Sequence, residues 1–69
     1  MKYLVLIKRV GANFFASSPD VPLCFATGDT IEETRDNFSA ALRGHLASLR
    51  ETGDQVPEPE TIGEYLTVD

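Results

Sequence analysis

The chain has 69 residues, room for one small domain and no second module. Hydrophobic residues make up 42% of it and charged residues 25%, ordinary globular usage that excludes wholesale disorder, collagen-like repetition and a disulfide-dense scaffold. Eleven acids against six Lys and Arg give a net charge of -5, which opposes a grip on phosphate backbones and makes direct binding of nucleic acid an unexpected role. A domain of this size buries only about 60% of the surface its unfolded chain exposes, so a homo-oligomer, dimer or tetramer, is expected.

Cysteine usage and charge distribution narrow the setting. Cys24 is alone and can neither close an intrachain disulfide nor build a structural zinc site, which fits a reducing, cytoplasmic location. The apolar run at residues 3–7 is too short for a membrane span, and it lacks the cleavage site of a signal peptide. Residues 1–10 hold Lys2, Lys8 and Arg9 without an acid, whereas residues 51–69 hold Glu51, Asp54, Glu58, Glu60, Glu64 and Asp69 without a base. Such an acidic end keeps a small protein soluble and also suits a basic partner, and both roles can hold together.

In chain order, Lys2 to Arg9 is rich in branched apolar residues on both parities, the pattern of a strand covered in part on both faces. Gly11 to Asn13 supplies a turn. Phe14 to Ser17 predicts a second strand, and the run Ser18-Pro19-Asp20-Val21-Pro22 ends it as a rigid connection with two fixed φ angles. Leu23 to Thr27 reads as a third strand, stopped by Gly28-Asp29.

A helix follows. Thr30 and Glu33 stand at capping-box spacing, and Asp29, Glu32 and Glu33 suit the positive end of the helix dipole. Ile31, Phe38, Leu42, Leu46 and Leu49 recur on one stripe, with Thr34, Ala41 and His45 at its margins, and Gly53 closes the helix. Residues 54–69 read as an extended acidic connector followed by a last strand or docked tail, because Ile62, Leu66 and Val68 alternate only loosely with Gly63, Tyr65 and Thr67. The whole predicts one α+β domain over residues 1–69, a small antiparallel sheet of three strands plus a possible C-terminal strand with one helix on one face. Leu4, Leu6 and one of Phe14 or Phe15 would then point away from the helix, leaving an apolar patch for a second copy or another protein.

Catalytic chemistry finds little support. His45 sits at the edge of the helix stripe, where a boundary side chain is the ordinary role. Cys24 has no neighbour in sequence that would lower its pKa and reads as a small buried hydrophobe. Asp29, Glu32, Glu33 and Asp36 lie on the first helical turns, where capping and dipole effects account for them without a metal. Gly28-Asp29-Thr30 lacks the glycine-rich loop and lysine of a phosphate site. No catalytic residue, cofactor or metal ligand is therefore expected.

Two motifs, Pro19-Asp20-Val21-Pro22-x-Cys24 and Gly28-Asp29-Thr30-x-Glu32-Glu33, follow Tyr3-x-Val5-x-Ile7 and precede Asn37 and Ala40-Ala41-Leu42. Together, in order and at this spacing, they resemble the HicB antitoxin family from about Tyr3 to Leu49, and Pro57-Glu58-Pro59 looks like the tail of many members. Leu23 stands where the family usually has glycine, Thr34 where it usually has alanine, and Phe25-Ala26 replaces a more polar or branched pair.

The resemblance implies a partial ribonuclease H-like, non-enzymatic domain. Such a domain binds a small basic HicA-type toxin, an mRNA interferase, and occludes its catalytic or RNA-binding surface. It also implies partner-binding roles for Phe14, Phe15, Pro19 and Asp20, with Asp20 alternatively a turn residue bonded to its own backbone. The family's C-terminal DNA-binding domain is expected to be lacking. The rival expectations are an oligomeric adaptor or structural protein with no toxin, and a small ribonuclease H-like hydrolase.

Overall fold

The computed structural model describes residues 1–69. Strands β1 (Leu6–Val10), β2 (Asn13–Ser17) and β3 (Phe25–Gly28) precede one helix, α1 (Ile31–Glu51). The strands form one antiparallel sheet in the order β1-β2-β3. The fold is α+β, with the helix packed on one face of the sheet.

Local chemistry explains each element. A two-residue hairpin joins β1 to β2, and Gly11 takes its first central position with φ 62°, a conformation open to glycine and strained for other residues. Pro19 and Pro22 stiffen the connection from β2 to β3, which folds as two successive turns closed by the Val21 N–H on the Ser18 carbonyl at 3.2 Å and the Cys24 N–H on the Val21 carbonyl at 3.1 Å. Val21 and Cys24 point inward from that loop.

The helix termini are fully specified. Thr30 Oγ1 accepts from the Glu33 N–H at 3.0 Å, and the Glu33 carboxylate reaches back one residue beyond the cap to accept from the Asp29 N–H at 3.2 Å. At the other end Gly53, with φ 75°, donates to the Arg50 carbonyl at 3.2 Å while Asp54 donates to Leu49 at 2.9 Å, the paired bonds of a Schellman termination.

The core lies between the helix and the inner face of the sheet. Ala16, Val21, Cys24 and Phe38 form its centre, with Tyr3, Val5, Ile7, Ala26 and Leu42 packed around them. Ile7, Ala16 and Ala26 are aligned across the three strands, so small side chains let the helix approach and Phe38 fill the middle. Burying Phe38 contributes roughly 1.5–3 kcal/mol. Gly28 is required by a close approach: a β-carbon there would lie 2.6 Å from Thr34 Oγ1 and 2.8 Å from the Thr34 nitrogen. Thr34 is fully buried, and its hydroxyl donates to the Thr30 carbonyl at 2.6 Å. On the next turn Asn37 Nδ2 donates to the Thr27 carbonyl at 2.9 Å, tying helix to sheet.

Three expectations need correction. The first strand starts at Leu6 rather than Lys2, because β2 ends at Ser17, the partner of Leu6, and the turning chain beyond it offers no further ladder. The third runs Phe25–Gly28 rather than from Leu23, because the second loop turn continues through Cys24. Residues 54–69 contain no strand. They are held instead by side chains: Tyr3 Oη donates to the Pro57 carbonyl at 2.6 Å, and Asp20 binds Glu60 and Thr61.

Candidate functional site

Strand alternation divides the sheet into two unlike faces. Leu6 and Phe25 flank Ser17 across the strands, as Lys8 and Thr27 flank Phe15, and these alternate with the residues under the helix. The face they form is covered by no element. Phe15 and Phe25 stack upon it with ring centroids 5.9 Å apart and an interplanar angle of 24°. Leu6 is 50% exposed and Phe25 62%, so large apolar side chains meet solvent where nothing in the chain buries them. Lys8 adds one cation, while Ser17 and Thr27 give hydroxyls on the same surface. Leu23, just before β3, is also exposed.

The four residues expected to bind a partner do not form one patch. Phe15 is on the open face. Phe14, its neighbour in sequence, falls on the opposite parity, where the Arg9 guanidinium stands 4.7 Å over its ring. Pro19 is exposed in the loop between β2 and β3.

Asp20 is engaged within the chain, and not through a turn of its own. Its Oδ2 accepts from the backbone N–H groups of Glu60 at 3.1 Å and Thr61 at 3.0 Å, and its Oδ1 from the Thr61 hydroxyl at 2.7 Å. The Thr61 backbone N–H and then the Thr61 hydroxyl hold the carboxyl below its usual 3.8; burial opposes them, by more than the bond from Glu60 adds. The carboxylate therefore ties the tail to the loop. Residues 40 apart cannot be paired by any local pattern, which is why sequence spacing misses this contact.

Phe25 is the other residue that spacing misses. Its place in β3, opposite Ser17 and diagonal to Phe15, follows only once register is known, although its aromatic character in a short strand is plain.

Chemistry elsewhere is sparse. Cys24 is buried, and desolvation pushes its thiol above the ordinary value. His45 is half-buried at the helix flank. No group of three or more His, Cys, Asp or Glu side chains is gathered closely enough to hold a metal ion. No helix is long and apolar enough to cross a membrane.

The family model described as the HicB-like antitoxin of bacterial toxin-antitoxin systems matches residues 3–68. The chain belongs to the HicB-like antitoxin family. A curated relative, an uncharacterised 14.9 kDa protein of the rep-hol intergenic region of Haemophilus phage HP1, is 33% identical over 66 residues, covering 96% of this chain and 50% of the phage protein. The HicB-like chain thus spans about half the length of that relative. No solved structure matches it, and the ribonuclease H-like comparison rests on the family resemblance alone.

Proposed function

We propose that this HicB-like domain is the toxin-binding part of an antitoxin, a non-enzymatic cytoplasmic protein that neutralises a small basic HicA-type mRNA interferase by covering its working surface. What carries the proposal is the open face of the sheet: an exposed Leu6 and Phe25 and a half-buried Phe15 on a domain of net charge -5. Aromatic side chains at the centre of a desolvated patch supply most of the affinity of such interfaces. The net negative charge of the domain attracts a basic toxin and speeds encounter.

Within this arrangement Phe15 contributes directly and Pro19 lies at the rim. Asp20 acts through the tail segment it holds, and Phe14 supports β2 from beneath. A carboxylate already satisfied by three hydrogen bonds has little left to offer a partner's cation, so its removal weakens the complex by loosening the tail. The domain also self-associates, as its small core leads one to expect.

Co-expression with the small basic protein encoded beside it tests the proposal. Growth is restored and a stable complex co-purifies. Phe15→Ser with Phe25→Ser abolishes both while the domain stays folded by circular dichroism. Toxicity that persists beside the unaltered domain, with no complex, contradicts the antitoxin role and favours an adaptor that assembles only with itself.

A further inference from the structure

The open face leaves two features of the chain unused, the basic N-terminal strand and the exposed apolar residues of the acidic tail. β1 is an edge strand: β2 pairs with one side of it and no strand pairs with the other. Lys8 and Arg9, both exposed, make that edge basic, with Lys2 just upstream. Lysine on an edge deters an indiscriminate neighbour and admits an acidic one.

The tail has the matching character. Residues 62–69 carry Glu64 and Asp69 without a base, and Ile62, Tyr65, Leu66 and Val68 are 83–105% exposed. Ile, Tyr, Thr and Val are strand-forming residues. The tail is pinned to its own body at Pro57 by Tyr3 and at Thr61 by Asp20, and its last hydrogen bond is at Thr61. Gly63 touches the Leu4 side chain, but a groove of about 390 Å³ lies between residues 63–65 and residues 4–7. The arm is therefore held beside its own edge without pairing to it.

The shape agrees. The radius of gyration is 13.4 Å and the longest extent 47 Å, against a radius of about 11 Å for a compact chain of this length.

We propose that residues 62–69 of one copy add as a strand to the free β1 edge of a second copy, and reciprocally, joining two domains around a twofold axis. Each arm lays its acids along the partner copy's basic edge, supplies the missing backbone hydrogen bonds and buries apolar side chains that its own body leaves in water. The two pins preorganise the exchange by fixing where the arm leaves the body. Phe15 and Phe25, on β2 and β3, lie away from this edge. This arrangement rests on the self-association proposed above.

Mixing two single-site variants tests it, with Lys8→Cys on one tagged chain and Leu66→Cys on an untagged one, since native Cys24 is buried out of reach. Oxidation yields the mixed disulfide dimer in excess over either like-with-like dimer. Light scattering of the unaltered chain gives a dimer mass, and deletion of residues 62–69 gives a folded monomer. Glu64→Lys, which leaves the fold intact, raises the dimer dissociation constant about tenfold. A dimer that persists after the deletion, with no mixed disulfide, overturns the arm exchange but leaves self-association standing. A monomer of the unaltered chain overturns both.

Discussion

The two faces of one three-stranded sheet differ in a way that separates folding from function. Beneath the helix, Ile7, Ala16 and Ala26 are small or branched and lie against Phe38 and Leu42. On the other side, Leu6, Phe15 and Phe25 are large, and two of them are at least half exposed. A domain so short cannot cover both faces with a single helix, and its core lies wholly on one. Apolar mass left on the second face serves no purpose inside the monomer, which is the physical reason to read it as a binding surface.

Substitutions on the two faces should therefore have opposite consequences. Phe38→Ala, which empties the middle of the inner face, lowers stability by about 3–5 kcal/mol. A single core in a domain this small rarely supplies more than about 3–5 kcal/mol, so urea denaturation should show a chain largely unfolded at growth temperature. Phe25→Ala, by contrast, changes stability by less than about 1 kcal/mol, since its ring is mostly in water and loses only the stacking on Phe15. Equal losses from the two phenylalanines would erase the distinction between the faces.

Gly28→Ala is next in size. The added carbon meets the Thr34 hydroxyl and backbone, and overpacking there costs about 1–3 kcal/mol, visible as a lower Tm. Thr30→Ala removes the acceptor for the Glu33 N–H and lowers stability by about 1 kcal/mol, with fraying of the first helical turn by hydrogen exchange.

The smallest global effect belongs to the tail. Asp20 has its pKa lowered in the folded chain, so its hold on residues 60–61 is fully present above the usual 3.8 and is lost as pH falls through the lowered value. Hydrogen exchange at the Thr61 amide, taken relative to its intrinsic rate at each pH, should be slow at neutral pH and approach that rate in strong acid. Asp20→Ala should make it fast at every pH while the Tm scarcely moves.

Much of the inner face is legible in the amino-acid sequence. The cap at Thr30, the stop at Gly53 and the stripe through Phe38, Leu42 and Leu46 follow from helical spacing, and the bonds at both termini are those the residue types demand. The outer face is legible only in part. Leu6 and a phenylalanine pointing away from the helix can be anticipated, but choosing Phe15 over Phe14 and adding Phe25 needs the register Leu6–Ser17–Phe25, which turns and not strands decide. Strand lengths are overread for the same reason, since the rigid Pro19–Pro22 loop consumes residues whose composition alone suits a sheet. The Asp20–Thr61 bonds lie across 41 positions and carry no periodic signal. Apolar alternation in the tail predicts a strand within the chain, whereas Ile62, Leu66 and Val68 remain in solvent.

The most direct measurement of the central claim is an amide-resolved NMR titration of the labelled domain with a small basic toxin of the proposed HicA type. The proposed docking surface predicts that shifts concentrate on Leu6, Lys8, Phe15, Ser17 and Phe25, with the exposed side of the helix unmoved. Shifts confined to the helix, with the open face unchanged at saturation, would contradict it.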